Sequence, residues 1–449
     1  MRTKAVFFIL SILVLALFSG VMAAQDDVIE IDFWNWWGVQ REPLMNEIIE
    51  GFRADYPNVQ INNVVQGWDR RAEVVLTAMA SDPPEVMMVG RAELVRFAAE
   101  GLIVPITKYV EEDGLDLGAF YDSEIETMWW DGELYSMPMP TAGGETSLYI
   151  YDKDAFAAAG LDPDNPPTTW QEFWDASAAL NERDGNVINT LAAEINVTGD
   201  NPAHGFLSWL YTNNGALYSE DLRSVAFNSA EGVETLQWML DYINEFYGGI
   251  ENIIDFMAGA DSESPEFPLF QGRMGVMFPN VSIFGHLSTY APDLNYGVAL
   301  RPYNADNPDA ASQGIAPLGF GWGYVIPAGL DEATERAAYN WVRRITYDMG
   351  LEDAPGACFF MQEQARPSPL IECNADPVYY ELNPAWDNVI TALESDVALP
   401  IVPPQSRIID ILNQYVELAF FGEFGPQEAL DTAAEEANAI LDEYWSSIE

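Results

Sequence analysis

Between residues 28 and 100 the chain alternates short β-rich runs with amphipathic helical ones, and this pattern constrains the fold more than any other feature. Val28-Ile29-Glu30-Ile31-Asp32-Phe33-Trp34 alternates in the manner of a strand. Pro43 then opens a helical stretch in which Leu44, Ile48, Phe52 and Tyr56 share one face, and Pro57 stops it. Residues 59–65 read as a second strand, Asp69 as the cap of a helix running to about Ala80, and residues 85–89 as a short buried strand before a helix over 93–100. Strands that alternate with helices predict an α/β sheet whose ligand crevice lies at the carboxyl ends of its strands. Those ends are residues 34–37, 66–69 and 90–91, which makes Trp36, Trp37, Trp68, Asp69 and Arg91 candidates.

The remainder supports a second lobe. Val233, Leu236, Leu240, Ile243 and Tyr247 mark one amphipathic helix, Ala337, Trp341 and Ile345 another, and Leu430, Ala433, Ala437, Ile440 and Tyr444 a third. Short strands are expected at residues 275–278 and 324–327. A chain of 449 residues exceeds a typical domain of ~150 residues about threefold, and no composition break marks a flexible linker, so the lobes should be interwoven.

Charge removes several functions. With 19 Lys+Arg against 71 Asp+Glu, the net charge of −52 repels nucleic acid and anionic lipid. Arg2 and Lys4, the apolar run 5–18 and the small residues of Gly20-Val21-Met22-Ala23-Ala24 form an expected signal peptide over residues 1–24. Cleavage after Ala23 or Ala24 would deliver the chain outside the cytoplasm, and no cysteine near that site offers a lipid anchor. The chain has two cysteines, Cys358 and Cys373, and an exported protein most simply pairs them. With His204 and His286 its only histidines, the chain has no HExxH site; it also lacks a GxSxG elbow, a Walker loop and a dinucleotide fingerprint. Asp162-Pro163-Asp164-Asn165 opens like a calcium loop, but Phe173 stands where the bidentate Glu belongs, so no metal is expected and no cofactor is implied.

Aromatic residues point toward sugars. Many of the 14 tryptophans stand beside Gly, Asn or Pro, as in Trp36-Trp37-Gly38, Gly67-Trp68-Asp69 and Gly321-Trp322-Gly323. An indole in such a loop can present its flat face to the apolar C–H face of a pyranose. Trp322 is the strongest candidate, whereas Trp170 and Trp341, at helical spacing, read as core.

Ordered blocks along the whole chain resemble the extracellular solute-binding proteins, family 1, of carbohydrate ABC importers, the group that includes maltodextrin-binding protein. They include Ile31-Asp32-Phe33-Trp34, Tyr56-Pro57-Asn58-Val59, Gly101-Leu102-Ile103-Val104-Pro105-Ile106 and Trp130-Asp131-Gly132-Glu133-Leu134-Tyr135. Later blocks are Tyr151-Asp152-Lys153-Asp154, Phe270-Gln271-Gly272-Arg273-Met274-Gly275 and Gly321-Trp322-Gly323-Tyr324. The resemblance implies an α/β, two-lobed periplasmic-binding-protein-like fold of type II, closing on its solute between lobes joined by crossing hinge segments. It divides the mature chain into a first lobe of 25–140 plus about 296–345 and a second of 141–295 plus about 346–449.

It also implies an exported receptor, not an enzyme, that acts as a monomer, takes a carbohydrate ligand and docks on ABC permease subunits. Site residues implied or supported by it are Arg91, Glu145, His204, Trp209 and Asn280, beside Trp322; Arg366 lies in the loop that the disulfide would pin. Glu85 replaces the family's usual Asp after Pro84, and no signal-peptide cysteine is present. Three other readings remain open from residues alone: a binder of phosphate esters using Arg91 and Arg366, a binder of amines, and a glycoside hydrolase with two suitably spaced carboxylates.

Overall fold

The alternation of the first hundred residues is realised as β1 (Ile29–Asn35), α1 (Arg41–Asp55), β2 (Val59–Val65), α2 (Arg71–Ser81), β3 (Val86–Gly90) and α3 (Arg91–Ala99). The computed structural model describes residues 28–448 apart from 68, 69, 145, 200, 201, 317–320, 352 and 353. The expected leader and the candidates Trp68, Asp69 and Glu145 therefore lie outside the described residues.

The chain then contributes β4 (Leu148–Asp152), α4 (Trp170–Leu180), β5 (Glu182–Asp184), β6 (Val187–Glu194), α5 (Pro202–Tyr211), β7 (Met274–Met277), α6 (Ile283–Tyr290) and β8 (Tyr296–Leu300). It continues through β9 (Trp322–Val325), α7 (Glu332–Thr346), α8 (Ala357–Gln362), α9 (Trp386–Ser395), α10 (Gln405–Phe420) and α11 (Pro426–Ile448). Local chemistry explains several starts. Thr169 and Glu172 form a reciprocal capping box at α4, and Asp331 accepts from the amides of Ala333 and Thr334 at α7.

Two sheets organise the lobes. The first has the order β9-β3-β1-β2, with β1 parallel to both neighbours and β9 antiparallel to β3. Its core interleaves Phe33, Phe52 and Trp341, with ring centroids 5.3–5.4 Å apart for the Trp341 pairs. The second has the order β8-β4-β7-β6-β5. It is packed by an aromatic pile in which Trp209 and Trp238 lie 4.6 Å apart and Trp170 stacks on Trp238 at 4.7 Å. Trp170 and Trp341 are thus core residues, as their spacing predicts.

The cores locate the passages between lobes. Met139 belongs to the first core and Leu148 to the second; Leu300 ends a second-lobe strand and Trp322 opens a first-lobe one; Cys373 packs in the first core and Tyr379 in the second. Both expected return boundaries therefore shift toward the C-terminus. Residues 296–300 pair along their whole length with β4, and the segment through Cys373 stays on the first lobe, where Phe360 and Met361 are buried.

Two carboxylates hold the first passage. Glu124 Oε1 accepts from Thr141 Oγ1 and from the amides of Ala142 and Gly143, both at 2.7 Å, while Asp396 Oδ2 accepts from Gly144 N at 2.6 Å. Gly144 has φ +82°, and a Cβ on Gly314 in the second passage would lie 2.2 Å from Asp396 Oδ1. Asp396 thus touches both strands of the hinge.

Candidate functional site

The turn that leaves β1 is built by Asn35. Its fully buried side chain accepts from Trp37 N at 2.9 Å and donates to Asn63 Oδ1 at 2.7 Å, fixing how Trp36 and Trp37 leave the strand. Trp37 is anchored at both ends, donating from Nε1 to Tyr324 Oη at 3.0 Å and meeting Phe360 edge-on at 5.1 Å. Trp322 begins β9 opposite Gly90, with the Arg71 guanidinium 4.7 Å from its ring centroid. The neighbouring Gly323 packs closely, since a Cβ there would lie 2.7 Å from Leu94 Cδ1 and displace that side chain.

These tryptophans form one wall of a cleft of about 740 Å³ between the lobes. The first lobe supplies Trp36, Trp37, Arg41, Gln66, Trp322 and the 362–366 loop, and the second supplies Glu263, Asn280, Ser282 and residues of α6. Of the sequence candidates, Trp36, Trp37, Asn280, Trp322 and Arg366 come together here. Asn280 Oδ1 accepts from Ser282 N at 3.0 Å, and Arg366 is held by Tyr379 Oη, which donates to its carbonyl at 2.7 Å. The Cys358–Cys373 disulfide is formed and brackets the loop. A depression of about 1120 Å³ lies between α1 and the disulfide segment, but only the first lobe lines it.

Three candidates lie elsewhere. Arg91 is 1% exposed and turned into the first lobe, where it pairs with Glu124 and donates to Thr127 Oγ1 at 2.8 Å. Trp209 is fully buried, donates to the Ile195 carbonyl at 2.9 Å and packs beside the Arg301 guanidinium. His204 sits on α5 outside the cleft lining, and burial pulls its pKa down to about 4. Arg91 stands at the expected strand end and His204 in the first turn of α5, with Trp209 near that helix's far end, but interior partners claim or enclose their side chains.

The residues that sequence reasoning passed over are Arg41, Glu263, His286 and Gln364. Glu263 Oε1 lies 3.8 Å from Arg41 Nη2 and 3.7 Å from His286 Nε2, so one carboxylate of the second lobe faces a guanidinium of the first lobe and an imidazole of its own. Burial lowers the His286 pKa, which keeps the ring neutral near pH 7. The adjacent carboxylate favours the proton on Nε2 and leaves Nδ1 as an acceptor. Gln364 Nε2 donates to the Phe360 carbonyl at 2.7 Å. Trp36 Nε1, His286 Nδ1 and Gln364 Oε1 are buried without a hydrogen-bond partner in the protein. Orphaned polar atoms of this kind cost ~1–3 kcal/mol each, and three of them gather at one cleft.

The family profile of bacterial extracellular solute-binding proteins matches residues 47–353. The sn-glycerol-3-phosphate-binding periplasmic protein of Shigella dysenteriae is 24% identical over 453 aligned positions, covering 96% of this chain and 97% of its own; the Shigella flexneri protein of the same name is 26% identical. Among solved structures, an ABC transporter solute-binding protein from Thermotoga lettingae bound with α-D-tagatose aligns with a TM-score of 0.71 at 21% identity, covering 92% of this chain and 99% of that one. An ABC substrate-binding protein from Listeria monocytogenes in complex with cycloalternan aligns with a TM-score of 0.72 at 19% identity, covering 93% and 100%.

Proposed function

Because the chain belongs to the bacterial extracellular solute-binding protein family, we propose that its interlobe cleft captures a neutral sugar or short oligosaccharide for delivery to an ABC permease. The observation that carries this reading is the union of indole surfaces with buried polar atoms that the protein leaves without partners. Trp36 and Trp322 offer apolar faces, Trp36 Nε1 a donor, and His286 Nδ1 and Gln364 Oε1 acceptors. The two acceptors call for O–H donors. A sugar hydroxyl donates as readily as it accepts, whereas the oxygens of a phosphate dianion only accept.

Phosphate esters form the second reading, since the curated relatives bind sn-glycerol-3-phosphate and Arg366 lines the cleft. Charge balance favours the neutral ligand. Arg41 and Arg366 are matched in the lining by Glu263 and Glu363, with His286 neutral. The volume falls within the ~300–1,000 Å³ of small-molecule sites.

The protein works as a monomeric binder outside the cytoplasm and catalyses no reaction. Among the described residues no helix is long and apolar enough to cross a membrane. A thermal-shift screen of maltose, maltotriose, mannobiose, tagatose and glycerol phosphate tests the assignment. A rise in melting temperature with a sugar and none with the phosphate ester is expected. The reverse would move the protein to the second reading.

A further inference from the structure

On one edge of the cleft the lobes meet backbone to backbone. Gly285, in the first turn of α6 on the second lobe, lies so close to Gln364 of the first lobe that a Cβ would sit 2.6 Å from the Gln364 carbonyl oxygen. That partner is main chain, so no side-chain rotation relieves the contact. The loop that presents it is itself constrained: Ala365 takes φ +52°, and Gln364 N donates to the Met361 carbonyl at 3.2 Å. On α6, Ser288 Oγ and Thr289 Oγ1 both donate to the Gly285 carbonyl, at 2.9 and 2.8 Å. Both surfaces are therefore preformed.

The unpartnered acceptors border this contact. His286 follows Gly285 directly, and Gln364 is its opposite number. Glycine is otherwise a poor choice inside a helix, by ~1 kcal/mol relative to alanine, so its place in α6 is explained by the approach it permits.

We propose that Gly285 is the closing stop of the two lobes, a specificity-determining residue. Its missing side chain lets α6 seat on the Gln364 carbonyl, and the shut edge admits only the end of a saccharide, held by His286 and Gln364 from opposite lobes. The size consequence rests on the carbohydrate reading of the cleft; the contact does not.

The test is Gly285→Ala in the full chain. Alanine favours the helix, so a merely structural position predicts a ligand-free melting temperature unchanged or higher with unchanged binding. A closing stop predicts the same melting temperature together with calorimetric affinity for maltose, maltotriose or mannobiose at least tenfold weaker than in the unmodified protein. Affinity within twofold would overturn the proposal. His286→Cys with Gln364→Cys, which keeps Gly285, provides an arm that needs no sugar. Treatment with a short bismaleimide followed by peptide mapping should find the 286–364 cross-link, and its absence with and without those sugars would overturn the contact. If no panel sugar binds the unmodified protein but the cross-link forms, the carbohydrate assignment fails and the closing contact stands.

Discussion

The Arg71 guanidinium lies 4.7 Å from the centroid of the Trp322 ring, on the first lobe beside the cleft. A cation held against an indole fixes the ring plane and occupies part of its surface, leaving the remainder to line the cavity. Trp322→Ala should weaken sugar binding by ~1–3 kcal/mol, the scale of losing a well-packed aromatic contact. Titration calorimetry checks this, and unchanged affinity would remove Trp322 from the site.

Arg91 carries the opposite expectation. Its pairing with Glu124 is fully interior, and Glu124 also holds Thr141, Ala142 and Gly143 of the first passage. Removing one partner of a buried pair strands the other, so Arg91→Ala should destabilise the fold by ~3–5 kcal/mol. Denaturant unfolding measures the loss. Ligand affinity of the folded fraction should change little, because the side chain does not reach the cleft.

The disulfide should also matter to stability. Cys358 and Cys373, with Cα atoms 5.3 Å apart, close a loop of 15 residues that contains Gln364 and Arg366. Loop-closure entropy assigns such a bridge ~3 kcal/mol. A thiol assay on denatured, unreduced protein should find no free thiol, and the double serine variant should melt earlier.

Stability should respond to pH through Asp396. Burial pushes its carboxyl up to about 7, with the charge of Glu124 adding and hydrogen bonds from Ser147 and Gly144 opposing. The unfolded chain releases this proton near the ordinary ~3.9. Between ~4 and about 7 the folded protein holds a proton that the unfolded chain has lost, so this contribution falls as pH rises through that window and is flat above it. Asp396→Asn removes the titration. Its stability relative to the unmodified protein should improve from about pH 4 to about pH 7 and then level off, and a constant difference in chemical denaturation across that range would contradict the assignment.

The fold was legible because its signals are local. Pro43, the four-residue spacing from Leu44 to Tyr56, and Pro57 delimit α1 almost to the residue. The return boundaries were not, since whether residues 296–300 join the first or second sheet depends on their pairing with β4, more than a hundred positions away. The site divided in the same way. Trp36 and Trp37 follow from strand-end logic, and Trp322 from its setting, although Gly323 serves packing against Leu94 rather than loop freedom. Arg91 stood at the correct strand end, yet nothing nearby announces Glu124 as its partner. His286, Gln364 and Arg41 carry no periodicity or motif, and their role depends on two lobes meeting.

Closure around a sugar is tested most directly by small-angle scattering of the full chain, alone and at saturating maltotriose, mannobiose or glycerol phosphate. A smaller radius of gyration with a sugar, which is then recovered chemically intact, is the expected result. An unchanged radius with every sugar, or contraction with glycerol phosphate alone, would contradict capture of a neutral saccharide between the lobes.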